Sequence, residues 1–188
     1  MKKNLLAVIA MFFAITCMAE EHLKFKGIPI EGSMNSFCQK LETKGFSKVE
    51  SDANSTIFRG DFAGSNATIG VISDDDGENV ASVFVMFDGS DEWKVLLNTY
   101  NCYKDLYTQK YGNPAQVIEN NPAISQSNYE LMSAVNDRTA VWGCIWQLPA
   151  GEIEINIEKA GYHTGAVTVR YRDAQNEKVK IQKILEDI

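Results

Sequence analysis

Two stretches of the chain alternate apolar and polar residues with the period of two that predicts β-strands. One extends from 69 to 87 around an acidic turn, and the other extends from 153 to 171 around a glycine-containing turn. Both patterns are typical of a β-hairpin. Equivalent registers place two apolar pairs opposite each other, Ile69 with Val85 and Ile155 with Val169.

The polar face of the second hairpin tests its register, because a slip of one residue would exchange the two faces. The register gives three favourable cross-strand pairs: Glu152 with Arg172, Glu154 with Arg170, and Asn156 with Thr168. An arginine opposite a carboxylate lowers the pKa of that carboxylate, so we expect these acids to stay ionised. Surface ion pairs are therefore the favoured interpretation of Glu152, Glu154 and Glu158, rather than the paired carboxylates of a glycosidase.

Helical periodicity precedes each hairpin. The first helix is predicted over about 34–44, with Ser33 as its N-cap. The second begins with Asp91 and Glu92 in its first turn, where acidic side chains favour the positive end of the helix, and it ends at Gly112. The positions of these signals agree with the apolar period.

The remaining segments complete each half of the chain. A third helix at about 174–188 has four apolar residues on one face: Ile181, Ile184, Leu185 and Ile188. Two more strands are predicted before each hairpin, at 46–50 and 56–62 in the first half and at 128–135 and 139–148 in the second. The second half also carries an insertion that contains Asn120, Asn121 and Pro122.

This order of elements predicts an α+β fold. It consists of two tandem units, each with one helix and an antiparallel four-stranded meander, and a C-terminal helix, with the helices on one face of the sheet. The first unit, with an N-terminal extension, covers 20–89, and the second, with the C-terminal helix, covers 90–188. The element order resembles the tandem helix-and-meander arrangement of the β-lactamase-inhibitor-protein-like folds, a resemblance that implies an architecture but no function.

A second resemblance rests on particular residues. The opening HLKFKGIPIEG at 22–32, followed by Phe37, Leu41 and the tripeptide KGF at 44–46, is similar to a group of small secreted proteins of gut anaerobic bacteria. The pentapeptide KYGNP at 110–114 extends the likeness over most of the chain. The group has no assigned activity, so the resemblance implies no functional residue.

The first 19 residues predict a secretory signal peptide. Lys2 and Lys3 precede a 12-residue apolar stretch, and small residues lead to a cleavage site after Ala19, so we expect a periplasmic or extracellular protein. A lipoprotein anchored at Cys17 is the alternative, although residues 14–16 lack the pattern usual before such a cysteine. The stretch is shorter than the roughly 20 residues that span a bilayer, and no later segment is as apolar, so no transmembrane span is expected.

Net charge narrows the range of partners. The chain has 18 basic and 25 acidic residues, a formal net charge of −7, and loss of Lys2 and Lys3 with the signal peptide leaves 16 against 25, or −9. Phosphate backbones and anionic membranes are bound by basic patches. We therefore expect no nucleic-acid partner and no binding to an anionic membrane surface.

The acidic turn is a weak candidate for a calcium site. Asp74, Asp75 and Asp76 are followed by Gly77 and Glu78, but the spaced ligands of a calcium-binding loop do not follow. A turn closed by Asp-Gly is the favoured interpretation. With His22 and His163 as the only histidines, zinc is poorly supported as well, and no cofactor is expected.

Nucleophilic catalysis also finds little support. His22 lies near the start of the secreted chain and His163 lies at a hairpin turn, so neither position predicts a buried, oriented base. Cys38, Cys102 and Cys144 remain after cleavage, an odd number that leaves at least one free thiol. Cys38 and Cys102 could form a disulfide, but burial as small apolar residues is favoured.

Two groups of side chains are candidate binding surfaces. Ile72, Phe84 and Met86 lie on the outer face of the first hairpin, where they form a contact surface unless another segment covers them. Trp142 and Trp146 share one face of a strand and suggest an aromatic platform for a sugar, although a place in the core is favoured.

The sequence therefore predicts a secreted, non-enzymatic binding or interaction module whose ligand is an unidentified protein or small molecule. One alternative is a periplasmic or surface enzyme that acts on glycan or cell-wall material through carboxylates such as Asp61, Asp88 or Glu154. Another is a structural component of an envelope assembly.

Overall fold

A computed structural model describes residues 21–74, 76–120, 127–186 and 188. The helices are α1 (Met34–Thr43), α2 (Trp93–Tyr111), α3 (Asn128–Asn136) and α4 (Ala174–Glu186). The strands are β1 (Lys24–Phe25), β2 (Ile28–Pro29), β3 (Ser47–Ser51), β4 (Ser55–Phe62), β5 (Ser65–Ser73), β6 (Val80–Phe87), β7 (Gln116–Asn120), β8 (Val141–Leu148), β9 (Gly151–Lys159) and β10 (Gly165–Asp173). The predicted signal peptide with Cys17, Asp75, and Asn121 with Pro122 lie outside the described residues.

Eight of the strands form one antiparallel sheet in the order β3-β4-β5-β6-β10-β9-β8-β7. Each half of the chain contributes a four-stranded meander, and the two meanders join where β6 pairs with β10. Val85 lies opposite Val169 in that join. The predicted α+β fold, with two helix-and-meander units and a C-terminal helix, is confirmed.

The predicted hairpin registers are confirmed as well. Ile69 lies opposite Val85 on β5–β6, and Ile155 lies opposite Val169 on β9–β10. On the other face of the second hairpin the predicted register is also found, with Glu152 opposite Arg172, Glu154 opposite Arg170, and Asn156 opposite Thr168.

The first helix begins as predicted, and the second does not. The Ser33 hydroxyl accepts a hydrogen bond from the Ser36 amide at 3.3 Å and caps α1. Asp91 and Glu92 precede α2 instead of lying in its first turn, so that prediction is wrong. The amide of Trp93 donates to Oδ1 of Asn128 at 2.7 Å, and this distant side chain takes the place of a local cap.

The predicted strand at 128–135 is also wrong, because this segment forms α3. The Ser127 hydroxyl accepts from the Glu130 amide at 3.4 Å, which caps the helix, and it donates to the Glu130 carboxylate at 2.7 Å. Four residues then bury one side of the helix: Leu131, Met132, Ala134 and Val135. The first strand of the second meander is β7, directly after α2.

The core lies between one face of the sheet and the helices α1, α2 and α3. The β1–β2 hairpin packs into the same layer, where the Phe25 ring stacks on Phe62 at 5.6 Å and meets Tyr171 edge-on at 5.2 Å between centroids. On the opposite side, which we call the open face, most strand side chains are only partly buried. Among the described helices, none combines the length and the apolar composition that a bilayer crossing needs.

Helix α4 differs from the other three because its apolar stripe is not packed. Ile181, Ile184 and Leu185 are all more than half exposed, and no residue of α4 is buried. The helix is attached mainly at its start, where the Asn176 side chain donates to the carbonyls of Ile30 at 2.9 Å and Val80 at 3.1 Å.

Candidate functional site

The open face is ordered by the sheet register into rows of side chains. The central row crosses five strands through Ile57, Gly70, Phe84, Arg170 and Glu154. Its first three positions carry no charge, and its last two are oppositely charged. Along this row the open face therefore has an apolar half on β4, β5 and β6 and a charged half on β10 and β9.

The apolar half is centred on Phe84. A Cβ atom on Gly70 would lie 2.0 Å from a carbon of the Phe84 ring, so the ring rests directly on the backbone of β5. The three predicted contact residues, Ile72, Phe84 and Met86, occupy neighbouring positions here and are each partly exposed. Ile57, which the sequence pattern did not single out, joins them. We call these four residues the Phe84 patch.

The charged half consists of ion pairs between two arginines and three glutamates. Nη2 of Arg170 lies 2.9 and 2.7 Å from the two carboxylate oxygens of Glu158, which is four residues along β9 from the position opposite Arg170. Arg172 pairs with Glu154 at 2.7 Å and with Glu152 at 2.5 Å. The carboxylates of all three glutamates are thus bound to guanidinium groups of the same face.

Glu154 is held in its ionised form. Burial acts to raise its pKa, but hydrogen bonds from Asn156 and Arg172 and the nearby charge of Arg170 outweigh burial and lower the pKa below its ordinary value. A general acid in a glycosidase needs the opposite shift, because it must carry a proton at neutral pH. The environment of Glu154 therefore suits an ion pair.

The other two carboxylates considered for catalysis have local structural contacts. Asp61 accepts a hydrogen bond from the Gly64 amide at 3.4 Å in the turn between β4 and β5. Asp88 lies 3.8 Å from Arg59. Each carboxylate thus has a contact of its own, Asp61 with a backbone amide and Asp88 with an arginine.

The acidic turn closes on itself and on α4. Oδ1 of Asp74 accepts from the amides of Glu78 and Asn79 at 3.1 Å each, and Oδ2 accepts from the Asn79 side chain at 3.0 Å. Asp76 pairs with Lys183 of α4. In the described parts of the chain, no group of three or more potential ligands is arranged for a metal ion.

The two tryptophans lie on the core side of β8. Trp146 is 1% exposed, and its indole Nε1 donates to the Gly112 carbonyl at 2.8 Å. The Trp142 ring meets Trp93 of α2 edge-on, with 5.2 Å between centroids. Both tryptophans therefore pack in the core, as the favoured interpretation expects. The ring of Trp146 is covered by other residues and has no open surface on which a sugar could stack.

The described cysteines are all free thiols. Cys38 and Cys144 are buried, whereas Cys102 is exposed on α2. The expectation of burial is therefore right for two of them and wrong for Cys102. Burial also raises the pKa of Cys38 and of Cys144, which keeps both thiols protonated at neutral pH.

No family model, curated protein or solved structure matches the chain. The resemblances to the gut-bacterial secreted proteins and to the β-lactamase-inhibitor-protein-like folds stay predictions. What the open face and the other surfaces can bind therefore rests on the chemistry of their own residues.

His22 is more firmly oriented than its place near the start of the chain predicts. Its Nδ1 lies 3.0 Å from Oδ1 of Asp173, which is fully buried, and its Nε2 lies 3.4 Å from Glu31. Asp173 also accepts from the amides of Leu23 at 2.6 Å and Asn176 at 3.0 Å. The expectation that neither histidine is oriented is wrong for His22.

The contacts of His22 are structural in kind. Among the described residues, no serine or cysteine is hydrogen-bonded to its ring. Asp173 gathers donors from the N-terminal segment and from the first turn of α4, and it thereby fastens both to the end of β10. Because 151 positions separate His22 from Asp173, no local sequence pattern signals this junction.

Proposed function

We propose that the protein is a secreted, non-enzymatic binding module that contacts a partner protein through the Phe84 patch. The observation that carries this proposal is the Phe84 ring, which lies on Gly70 and stays partly exposed on a sheet face. Aromatic residues and methionine are enriched where protein interfaces are most buried, and a rigidly held ring loses little freedom on binding. The Phe84 patch has both features, because it combines a firmly held aromatic ring with the neighbouring methionine Met86.

The size of the open face favours a protein over a small molecule. Ile145 on β8 lies opposite Glu154 and extends the central row, which then crosses six neighbouring strands from β4 to β8. At a strand spacing of about 4.8 Å, the row is roughly 24 Å long. That extent suits an interface of about 800 Å² per partner, the usual size for a specific protein complex.

The charged half of the open face would contribute selectivity. Arg170 and Arg172 are already paired with glutamates, so a partner gains little affinity from them unless it matches the arrangement of charges. The ionised state of Glu154 fits this role better than the alternative of a glycan-directed enzyme.

The proposal is tested by placing a charge at the centre of the patch. Phe84→Asp should lower capture of the partner from an envelope extract by at least about tenfold, because a buried charge at an anchor position is costly. Val95→Asp is the matched control, since Val95 is 46% exposed on α2 and lies outside the open face. The control should capture the same proteins as the wild type.

A second variant guards against a change in folding. If Phe84→Asp lowers the melting temperature of the protein, Met86→Lys replaces it as the test, because Met86 is at the edge of the same patch. Capture of the same proteins in the same amounts by the wild type and by a folded patch variant would contradict the proposal.

A further inference from the structure

A groove separates the N-terminal β1–β2 hairpin from the C-terminal half of α2. Its volume is about 770 Å³, which lies within the range of small-molecule sites. Its lining is mainly apolar and aromatic: Phe62, Tyr103, Leu106, Tyr107, Leu148 and Tyr171. The groove is on the helix side of the sheet and is separate from the Phe84 patch.

Three of the four tyrosines that line the groove, Tyr103, Tyr107 and Tyr171, are mostly buried and have their hydroxyls engaged, so they contribute apolar wall rather than hydrogen bonds. The Tyr103 hydroxyl donates to the Phe62 carbonyl at 3.4 Å, and the hydroxyls of Tyr107 and Tyr171 bond to each other. Burial raises the pKa of Tyr107 and of Tyr171, so both stay neutral at physiological pH. A sugar, which needs many polar partners, is poorly matched to such walls.

Basic side chains border the groove on both sides. Lys26 comes from the hairpin, with its Nζ 5.8 Å from the centroid of the Phe62 ring, and Lys110 comes from α2, with its Nζ 4.8 Å from the Tyr111 ring. Lys24 also lines the groove but is paired with Glu21. Within the described residues, no carboxylate lies within the 4.0 Å of an ion pair from Lys26 or Lys110.

The groove is locally basic although the chain has a net charge of −7. Among the described residues, Lys26 and Lys110 line it without a carboxylate partner, and Glu21 is the one acidic residue in its lining. A ligand that fits must combine a negative group with an apolar body, because the lysines attract the first and the tyrosine and leucine side chains bury the second.

We propose that the groove binds a small amphipathic carboxylate, with its carboxylate at Lys26 and Lys110 and its apolar chain along the wall formed by Tyr103, Leu106 and Tyr107. This site goes beyond the proposed partner surface and does not depend on it. Substitutions in the Phe84 patch should therefore leave binding in the groove unchanged.

Calorimetric titration with three ten-carbon probes tests the ligand class. Decanoate, decanol and decyltrimethylammonium share the apolar chain and differ in charge; the two ions are used below their micelle concentrations and decanol is used below its solubility limit. Decanoate should bind at least about tenfold more tightly than decanol, the effect expected from a charge-assisted contact. Decyltrimethylammonium should bind more weakly still.

Variants then locate the site. Lys26→Gln and Lys110→Gln should each weaken decanoate binding by about five- to tenfold, and Leu106→Gln, at a position 43% exposed, should weaken decanoate and decanol alike. Lys94→Gln is the matched control, because Lys94 is exposed on the same helix outside the groove and its loss changes the net charge equally. It should leave the affinity unchanged.

Several results would overturn the proposal. They are a lack of decanoate binding by the wild type, equal affinity for decanoate and decanol, or equal affinity of the wild type and both lysine variants for decanoate. Since the Phe84 patch is tested by protein capture and the groove by small probes, failure of one proposal is distinguishable from failure of the other.

Discussion

The hairpins β5–β6 and β9–β10 share one backbone arrangement and differ on one face. Toward the helices, both place an isoleucine opposite a valine, and all four of these side chains are fully buried: Ile69, Val85, Ile155 and Val169. On the open face, the first hairpin has Gly70 opposite Phe84 and Thr68 opposite Met86. The corresponding pairs of the second hairpin are Asn156 with Thr168 and Glu154 with Arg170.

The difference shows which positions the fold itself constrains. A close-packed core accepts few volumes and shapes, so both hairpins meet it with the same residue types. The open face has no such packing requirement, and one hairpin uses it for an aromatic ring while the other uses it for ion pairs. We expect the two hairpins to respond alike to core substitutions and differently to open-face substitutions.

The largest expected effect is a loss of stability when a core residue is substituted, and we expect this loss to be equal in the two hairpins. Ile69→Ala and Ile155→Ala should each lower the free energy of unfolding by about 3 kcal/mol, because each leaves a cavity beneath the helices. Urea unfolding measures both, and Val49→Ala, at a position 62% exposed on the edge strand β3, is the control with little effect. A much smaller loss for one isoleucine than for the other would contradict the equivalence of the hairpins.

The contact between Gly70 and Phe84 predicts an intermediate effect. Gly70→Ala should destabilise the protein by about 1–2 kcal/mol, because the new methyl group displaces the Phe84 ring. In a Phe84→Ala background the same change should be neutral or stabilising, since alanine suits a strand better than glycine. Urea unfolding of the four proteins gives the coupling energy.

The corresponding pair in the second hairpin sharpens that measurement. The Thr168 hydroxyl has no hydrogen-bond partner among the described residues, and Asn156 donates instead to Glu154 at 2.6 Å. Alanine substitutions of Asn156 and Thr168 should therefore couple by less than about 0.5 kcal/mol. If the coupling energy of Asn156 and Thr168 equalled that of Gly70 and Phe84, the packing of the Phe84 ring would not distinguish the first hairpin from the second.

The smallest effect is the pH dependence of the charged half. The pKa of Glu154 is lowered from an ordinary 4.5 on folding, so its stabilising contribution is full above pH 4.5 and is lost as the pH falls through the lower folded value. The difference in unfolding free energy between the wild type and Glu154→Gln should shrink below pH 4.5. It stays small because Arg172 keeps its contact with Glu152.

The matched control for this titration is Thr68→Ala, at the corresponding position of the first hairpin. Its effect on the free energy of unfolding should not change over the same pH range, because no titrating group is removed. A difference between wild type and Glu154→Gln that grows on acidification would mean that Glu154 gains a proton on folding, contrary to the environment described.

Some of the fold follows directly from the sequence. The registers of β5–β6 and β9–β10 could be predicted because alternation constrains both faces at once. A slip of one residue would have placed apolar side chains opposite polar ones on both faces of the hairpin. The patch residues Ile72, Phe84 and Met86 followed from the same alternation. Helix α3 could also be predicted from the sequence, since Ser127 and Glu130 have the spacing of a capping box. The prediction of a strand at 128–135 did not take this spacing into account.

Other features depend on contacts between distant segments. The start of α2 is set by Asn128, which is far along the chain, and no local pattern carries that information. The groove is built from the N-terminal hairpin, α2 and the ends of several strands. Its lysines look like ordinary surface residues in the sequence, and only the assembled structure shows that they face one apolar surface.

The place of β10 in the sheet has a consequence for incomplete chains. Every other pairing in the sheet joins strands that follow one another along the chain, whereas β10 joins the two halves and its last residue, Asp173, fastens the N-terminal segment. Strand β10 pairs locally with β9 but with β6 only over a long separation, as between Val85 and Val169, so its pairing with β6 closes the longest loop of the sheet. A product truncated before β10 would expose β6 and β9 as two unpaired edges, which are templates for aggregation. We therefore expect premature termination to yield an aggregation-prone product rather than a smaller functional protein.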